Sequence, residues 1–200
     1  MRVIRGFIMI IGLIGILVIV ALLMGYYLFS LSPQIKTKMI PVAVTAEAAQ
    51  SLDQKLKSVE TQIDEAVAAG KDREVTLVIS EQEVNSKLIE VLAEGELPLN
   101  EVLVNFHEGY FLAYAVVDVP GVAAKTGAQG RIHIVNGDVK IVIEDFALGK
   151  LPLPEAANTG VEHLLNVMVR LRLADLPLEM TDIELSNREL IAAGLVKAVD

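Results

Sequence analysis

The residues that would carry metal or acid–base chemistry in this 200-residue chain are few: His107, His133 and His163, the pair Glu144-Asp145, and Asp182 with Glu184. There is no cysteine, which excludes thiol chemistry and disulfide frameworks. A zinc site would therefore need histidines and carboxylates to converge from separate elements. The acidic pairs lack the closely spaced oxygen ligands of a calcium loop. Gly127-Ala128-Gln129-Gly130 reads as a flexible connection between strands rather than a phosphate cradle. No G-x-S-x-G elbow, H-E-x-x-H, Walker loop or G-x-G-x-x-G occurs. The histidines are read as ordinary surface or partly buried side chains, and no catalytic residue, metal ligand or cofactor is expected.

What the chain has in quantity is apolar surface. Gly6 to Leu31 runs 26 residues without a charge. As a helix it would extend roughly 39 Å against about 30 Å of hydrocarbon, enough to cross with tilt. Tyr26 and Tyr27 stand near its distal end, where amphipathic rings favour the interface. A cleaved signal would have a shorter apolar core, and the nearest small-x-small site, Val44-Thr45-Ala46, lies well beyond the run. Arg2 and Arg5 precede the run, Lys36 and Lys38 follow it, and a short basic N-terminus before a first span stays in the cytoplasm as a rule. The expected organisation is thus a cytoplasmic N-terminus over 1–5, a transmembrane anchor over 6–31, a linker over 32–45, an amphipathic stalk helix over 46–70, and an α+β domain over 71–200 outside the cytoplasm. Residues 39–200 hold 13 basic and 26 acidic side chains. With no basic stripe, a nucleic-acid partner is excluded.

Ser32-Pro33 and Pro41 predict an extended linker. Leu52, Leu56, Val59, Ile63 and Val67 then recur at steps of three and four up to Gly70, a narrow apolar stripe that suits a helix docked on its own domain better than a coiled coil. Glu74 to Ser80 has strand composition. Ser80-Glu81-Gln82-Glu83 has the form of a capping box, with Val84, Leu88, Val91 and Leu92 as the buried face of the helix it starts and Asn85 as a surface residue beside them. Glu108-Gly109 and Asn136-Gly137 mark hairpins, the second with the strongest short-range signal because both turn positions need positive φ. A third, looser hairpin turns at Ser186-Asn187. The three predict one extended antiparallel sheet. Leu151-Pro152-Leu153-Pro154 leads into a largely apolar helix from Glu155 to Leu173, whose natural cover is the concave side of that twisted sheet.

The serine-capped, glutamate-rich helix start with Asn85, the turns at Glu108-Gly109 and Asn136-Gly137, the Leu151-Pro152-Leu153-Pro154 segment before a long helix, and the closing hairpin resemble the YpmS-like family of bacterial membrane-anchored proteins. More loosely, they resemble LmeA-like envelope proteins of TULIP-like, lipid-binding character. The resemblance covers residues 75–196. It implies an extracytoplasmic, lipid- or lipoglycan-related role with the membrane as a partner.

The fold class expected is therefore α+β: an N-terminal transmembrane helix, then an extended curved antiparallel sheet of hairpins packed on a long apolar helix. The function expected is a noncatalytic binding module that holds an acyl chain or presents an apolar face to an envelope protein. Leu88, Leu92, Phe111, Leu164, Leu165 and Met168 are its candidate groove lining, and each also fits an ordinary core. The alternative is a pilin-like scaffold subunit, suggested by Arg5-Gly6-Phe7 before an apolar run. Against it, Ile11 stands where pilins carry glutamate, and Pro33 and Pro41 would break a stem helix.

Overall fold

Pro33 stops one helix and starts another, and this break sets how the N-terminal segment meets the rest of the protein. A computed structural model describes residues 19–95, 99–119, 122–151, 153, 155–173 and 177–197. Helix α1 covers 19–30, with Leu22, Leu23, Met24, Tyr26 and Tyr27 each more than half exposed. Among the described residues no helix is long and apolar enough to cross a membrane. The expected span over 6–31 lies outside them as far as residue 18. The short helix α2 (Gln34–Lys38) follows, with Pro33 as its N-cap.

The expected extended linker is not what forms. Ile35 and Met39, four residues apart and on one side of the turn, are buried against Leu112, Tyr114 and Val116. The segment is a piece of the core. Its path ends where Ile40 and Asn105 exchange two hydrogen bonds: Ile40 N–H donates to Asn105 Oδ1 (2.8 Å) and Asn105 Nδ2 donates to Ile40 O (3.0 Å). Residues 31–33 and 39–45 are not helical, so α1, α2 and the helix that follows do not form one continuous helix.

Helix α3 (Ala46–Ala69) has the predicted stop, but of the predicted stripe Leu52 and Ile63 are buried, Val59 is half-buried, and Leu56 and Val67 are exposed, because the helix turns Ala49 and Ala66 inward instead. Thr45 caps it through Ala48 N, and Gly70 at φ +58° closes it. Its stripe, buried at Ala49, Leu52, Ile63 and Ala66, docks on its own domain, with Val75 and Val196 in the same cluster. Strand β1 (Arg73–Ser80) runs straight into helix α4 (Glu81–Ala93), and both capping-box bonds are present.

Glu83, the reciprocal partner in that box, also receives the Ser51 hydroxyl (2.6 Å) and Lys55 Nζ (2.8 Å). Burial pushes its carboxyl up, but the donors from Lys55, Ser51 and Ser80 outweigh it and hold the group at about 2, against an ordinary 4.5. A depressed carboxyl stabilises the fold above its unfolded value. That contribution is present at neutral pH, declines below about 4.5 and is lost near about 2. Glu83→Gln is expected to flatten the acid limb of a stability–pH curve measured by urea unfolding, and an unchanged limb would show that Glu83 does not carry it.

The predicted hairpins form, with β2 (Leu99–His107), β3 (Tyr110–Val119), β4 (Val122–Val135) and β5 (Asp138–Leu148) in one antiparallel sheet in that order. Asn136 and Gly137 both take positive φ. Helix α5 (Glu155–Leu173) follows, then β6 (Leu178–Ser186) and β7 (Glu189–Val196). The molecule is a mixed α+β fold with antiparallel sheets.

Two expectations are corrected. The third hairpin does not extend the first sheet: β6 and β7 join β1 in a separate sheet of order β1-β7-β6. Because β1 alternates Val75, Leu77 and Ile79, it needs a partner, and β7 supplies it from the far end of the chain, from Val75↔Gly194 to Ile79↔Leu190. The tips of the first two hairpins then abut β6, as Gly109 N–H donates to Leu185 O (2.9 Å) and Met180 N–H donates to Gly137 O (3.2 Å). This blunts the free edge of β6. Second, Gly127-Ala128-Gln129-Gly130 is not a connection but the middle of β4. A Cβ at Gly127 would lie 3.2 Å from Pro33 and Ile35, and one at Gly130 only 2.7 Å from the Phe111 ring and the Val142 carbonyl, so the glycines admit close neighbours within a strand.

Candidate functional site

Strand alternation sorts the four-stranded sheet into two unlike faces. One face carries Asn105, Tyr114, Lys125, Gln129, Arg131, His133 and Lys140, and is covered at its centre by Ile35 and Met39. The other is fixed by the cross-strand pairs Phe106↔Phe111↔Gly130↔Ile143, Val104↔Ala113↔Ala128↔Phe146 and Val102↔Ala115↔Thr126↔Leu148, and by Ile132↔Ile141 and Ile134↔Val139 beyond a bulge at Gly130. Thr126 is the one polar side chain among these positions, and its hydroxyl donates to Ala115 O (3.1 Å). Apart from Phe106, Gly130 and Ile143, the members of these pairs are half-buried, not sealed. The middle of the face is lined by small residues, Ala113, Ala115, Ala128 and Gly130, with larger ones around them. Gly130 is covered by the Phe111 ring, and we read the half-buried alanines between the larger side chains as the floor of a shallow trough.

A helix is fastened to each edge of this sheet by the same device. On α4, Asn85 Nδ2 donates to Val104 O (2.7 Å), Val104 N–H donates back to Asn85 Oδ1 (2.8 Å), and Glu81 accepts the N–H of Phe106 (3.1 Å). On α5, Asn166 Nδ2 donates to Ile141 O (2.7 Å), Ile141 N–H donates to Asn166 Oδ1 (2.7 Å), and Glu162 accepts the N–H of Ile143 (3.2 Å). In each case the asparagine also donates to the carbonyl of the glutamate four residues before it, at 2.6 and 2.9 Å. Each Glu-x-x-x-Asn row pairs the outward backbone groups of residues k and k+2 on an edge strand, groups that would otherwise template aggregation or lie unsatisfied.

These rows overturn two expectations. Asn85 is not a surface residue, being 1 % exposed. The fully buried residues of α4 are Glu81, Glu83, Asn85 and Ser86, whereas Val84, Leu88, Val91 and Leu92 are only half-buried. The reason lies in the edge strand: its free N–H and C=O groups need polar partners, and an apolar row cannot supply them. Helix α5 meets the sheet at β5 through Asn158, Glu162 and Asn166, with Asn158 Nδ2 on Glu144 O (3.2 Å), whereas the side chains of Leu164, Met168, Leu171 and Leu173, expected to lie under the sheet, are outside those described. Glu81 is further tied to Arg188 of the β6–β7 turn, both side chain to side chain and through Glu81 N–H to Arg188 O (2.9 Å).

Of the six predicted lining residues, Phe111 lies on the apolar face opposite Gly130. Leu88 stands on the flank of α4 away from α3, which holds the other flank through Ser51, Lys55 and the Thr45–Ser86 bond, and Leu92 stands close to the Asn85 row. Leu165 is half-buried beside the polar row of α5. The side chains of Leu164 and Met168 lie outside those described. The fold thus puts Leu88 and Leu165 on opposite margins of the sheet, at its β2 and β5 edges, with the alanine floor between them. The sequence signal that points to this floor is the run of alternating small residues in two adjacent strands, and the repeated Glu-x-x-x-Asn spacing points to its walls.

His107 stacks on Tyr110 (ring centroids 4.8 Å apart), while His133 and His163 are exposed on different elements. Among the described residues no three of His, Asp or Glu are grouped to hold a metal. A recess of about 390 Å³ between α3 and α4 is lined by Val44, Gln50, Asp53, Ile89 and Glu90 among others, and its mixed, acidic lining does not suit an apolar ligand. The chain matches no protein-family model, no curated protein and no solved structure.

Proposed function

We propose that this protein is a noncatalytic, membrane-anchored binding module that holds the acyl chain of a lipid against the apolar face of its four-stranded sheet. It is anchored by residues 6–31, and its domain lies outside the cytoplasm. The observation that carries this reading is the face itself, apolar at every paired position except one threonine whose hydroxyl is already bonded, and left mostly half-buried between two helices held at its margins. A closed core would seal such a face. Strand β3, at ten residues, extends about 33 Å, twice the roughly 15 Å that one leaflet's acyl chains occupy. Each methylene withdrawn from water contributes about 0.8 kcal/mol, so a dozen contribute on the order of 10 kcal/mol before the cost of ordering the chain. The resemblance to YpmS-like and TULIP-like envelope proteins supports the same role, with an envelope protein as a further partner.

The test is to give the full chain a phospholipid with a diazirine in its acyl tail, irradiate, and map the adducts by peptide mass spectrometry. Adducts are expected on the segments 111–117, 126–134 and 139–148. Adducts confined to residues 6–31, or to the charged face at Arg131 and Lys140, would overturn the reading.

A further inference from the structure

We infer, resting on the acyl-binding reading above, that the trough loads directly from the bilayer holding the protein's own N-terminal helix, through the end of the sheet at Val117, Thr126 and Leu148. Three observations carry this. The C-terminal end of α1 is bolted to that end of the sheet. Lys150 N–H donates to Leu28 O (2.8 Å), and Gly149 N–H donates to Lys125 O (2.7 Å). Gly149, at φ +59°, has space for no side chain, since a Cβ would fall 2.4 Å from Phe29 O and 2.6 Å from Leu28 O. Just beyond Leu31, Pro33 begins the segment that packs on Gly127 of β4. No flexible tether separates helix from sheet.

The polarity of the sheet is the second observation. Both tight turns, Glu108-Gly109 and Asn136-Gly137, lie at the opposite end and are closed by β6. With residues 6–31 in a bilayer, the capped end points away from the membrane, and the end bearing Leu148 and Thr126 stands at its surface. The trough runs the length of the sheet between the two. Third, the chain carries a net charge of −9, yet the segments that form this junction hold Lys36, Lys38, Lys125 and Lys150. Lys36 pairs with Glu101 (2.8 Å), whereas Lys38, Lys125 and Lys150 have no carboxylate partner among the described residues. Lysines next to a span attract anionic headgroups. A chain that slides from leaflet to trough never enters water, so proximity and orientation of the mouth set its rate of loading.

The test compares the full-length native chain with two variants in vesicles of phosphatidylcholine and phosphatidylglycerol containing the diazirine phospholipid. Gly149→Val drives a side chain into the Leu28 and Phe29 carbonyls. The second variant adds a Gly/Ser insertion of about ten residues after Leu31, whose r.m.s. reach of roughly 17 Å frees the domain from a fixed seat. The same proteins are given the lipid in detergent micelles, and circular dichroism checks their fold. If Gly149→Val does not fold, Gly149→Ala, whose Cβ still meets the Leu28 and Phe29 carbonyls, carries the insertion in its place. From vesicles, the inserted variant is expected to label less by about tenfold, as an effective concentration falls with a longer, looser tether. From micelles it should label as the native chain does. Equal labelling of native and inserted chains from vesicles would overturn direct loading. A native chain that labels from neither source would overturn the acyl-binding reading itself.

Discussion

Ala128→Trp is expected to remove most of the bound acyl lipid, lowering occupancy by more than about tenfold, a change of roughly 1.4 kcal/mol in binding free energy. Ala128 sits at the centre of the trough, opposite Ala113 on β3 and Phe146 on β5, and is half-buried. An indole there would lie across the alanine floor in the space a methylene chain would use, burying much of the roughly 150 to 250 Å² typical of an aromatic side chain. The melting temperature separates this outcome from its rival. In an open trough the variant keeps its stability or gains some, whereas in a filled core the extra volume would overpack and cost about 1–3 kcal/mol. Lost lipid with an unchanged melting temperature supports the trough, and a destabilised variant whose lipid content is unchanged contradicts it.

The largest effect on stability is expected at Glu81. Its carboxylate is 3 % exposed, accepts from Phe106 N–H (3.1 Å) and Asn105 Nδ2 (3.5 Å), and pairs with Arg188, so one side chain joins α4 to both sheets. Glu81→Leu leaves the Phe106 N–H without a partner, and the expected cost is about 3–5 kcal/mol, read from the urea midpoint. Arg188 itself holds φ +67°, an uncommon conformation for a residue with a side chain. Arg188→Ala keeps that backbone penalty and loses the ion pair, whereas Arg188→Gly loses the pair and relieves the penalty. Arg188→Gly should therefore be the more stable of the two by about 1 kcal/mol. Equal stabilities would show that the turn carries no strain, and a Glu81→Leu cost below about 1 kcal/mol would remove the carboxylate from its joining role.

Local structure was legible in the sequence where short-range physics decides it. The stop of α3 at Gly70, the Ser80–Glu83 capping box, the Asn136-Gly137 turn and the bounds of α5 all follow from spacing and turn chemistry, and all are present. What spacing cannot show is which partner a strand finds. The pairing of β1 with β7 joins segments from opposite ends of the domain and leaves no periodic trace in either. Asn85 and Asn166 were hidden for a related reason. An asparagine that completes an edge strand has the same composition signature as one facing water, and only the tertiary neighbour distinguishes them. Ile35 and Met39 were masked by the prolines on either side, which made a core segment look like a linker. The trough was visible only in part: Phe111 was singled out, whereas the alanines that make its floor have side chains too small to stand out in a search for apolar bulk.

Native mass spectrometry of the full-length chain, released from a lipid nanodisc by collisional activation, tests the acyl-binding role most directly. A folded monomer carrying one retained phospholipid mass, absent from Ala128→Trp, is the result predicted. A native chain that sheds every lipid as readily as the Ala128→Trp variant would contradict it.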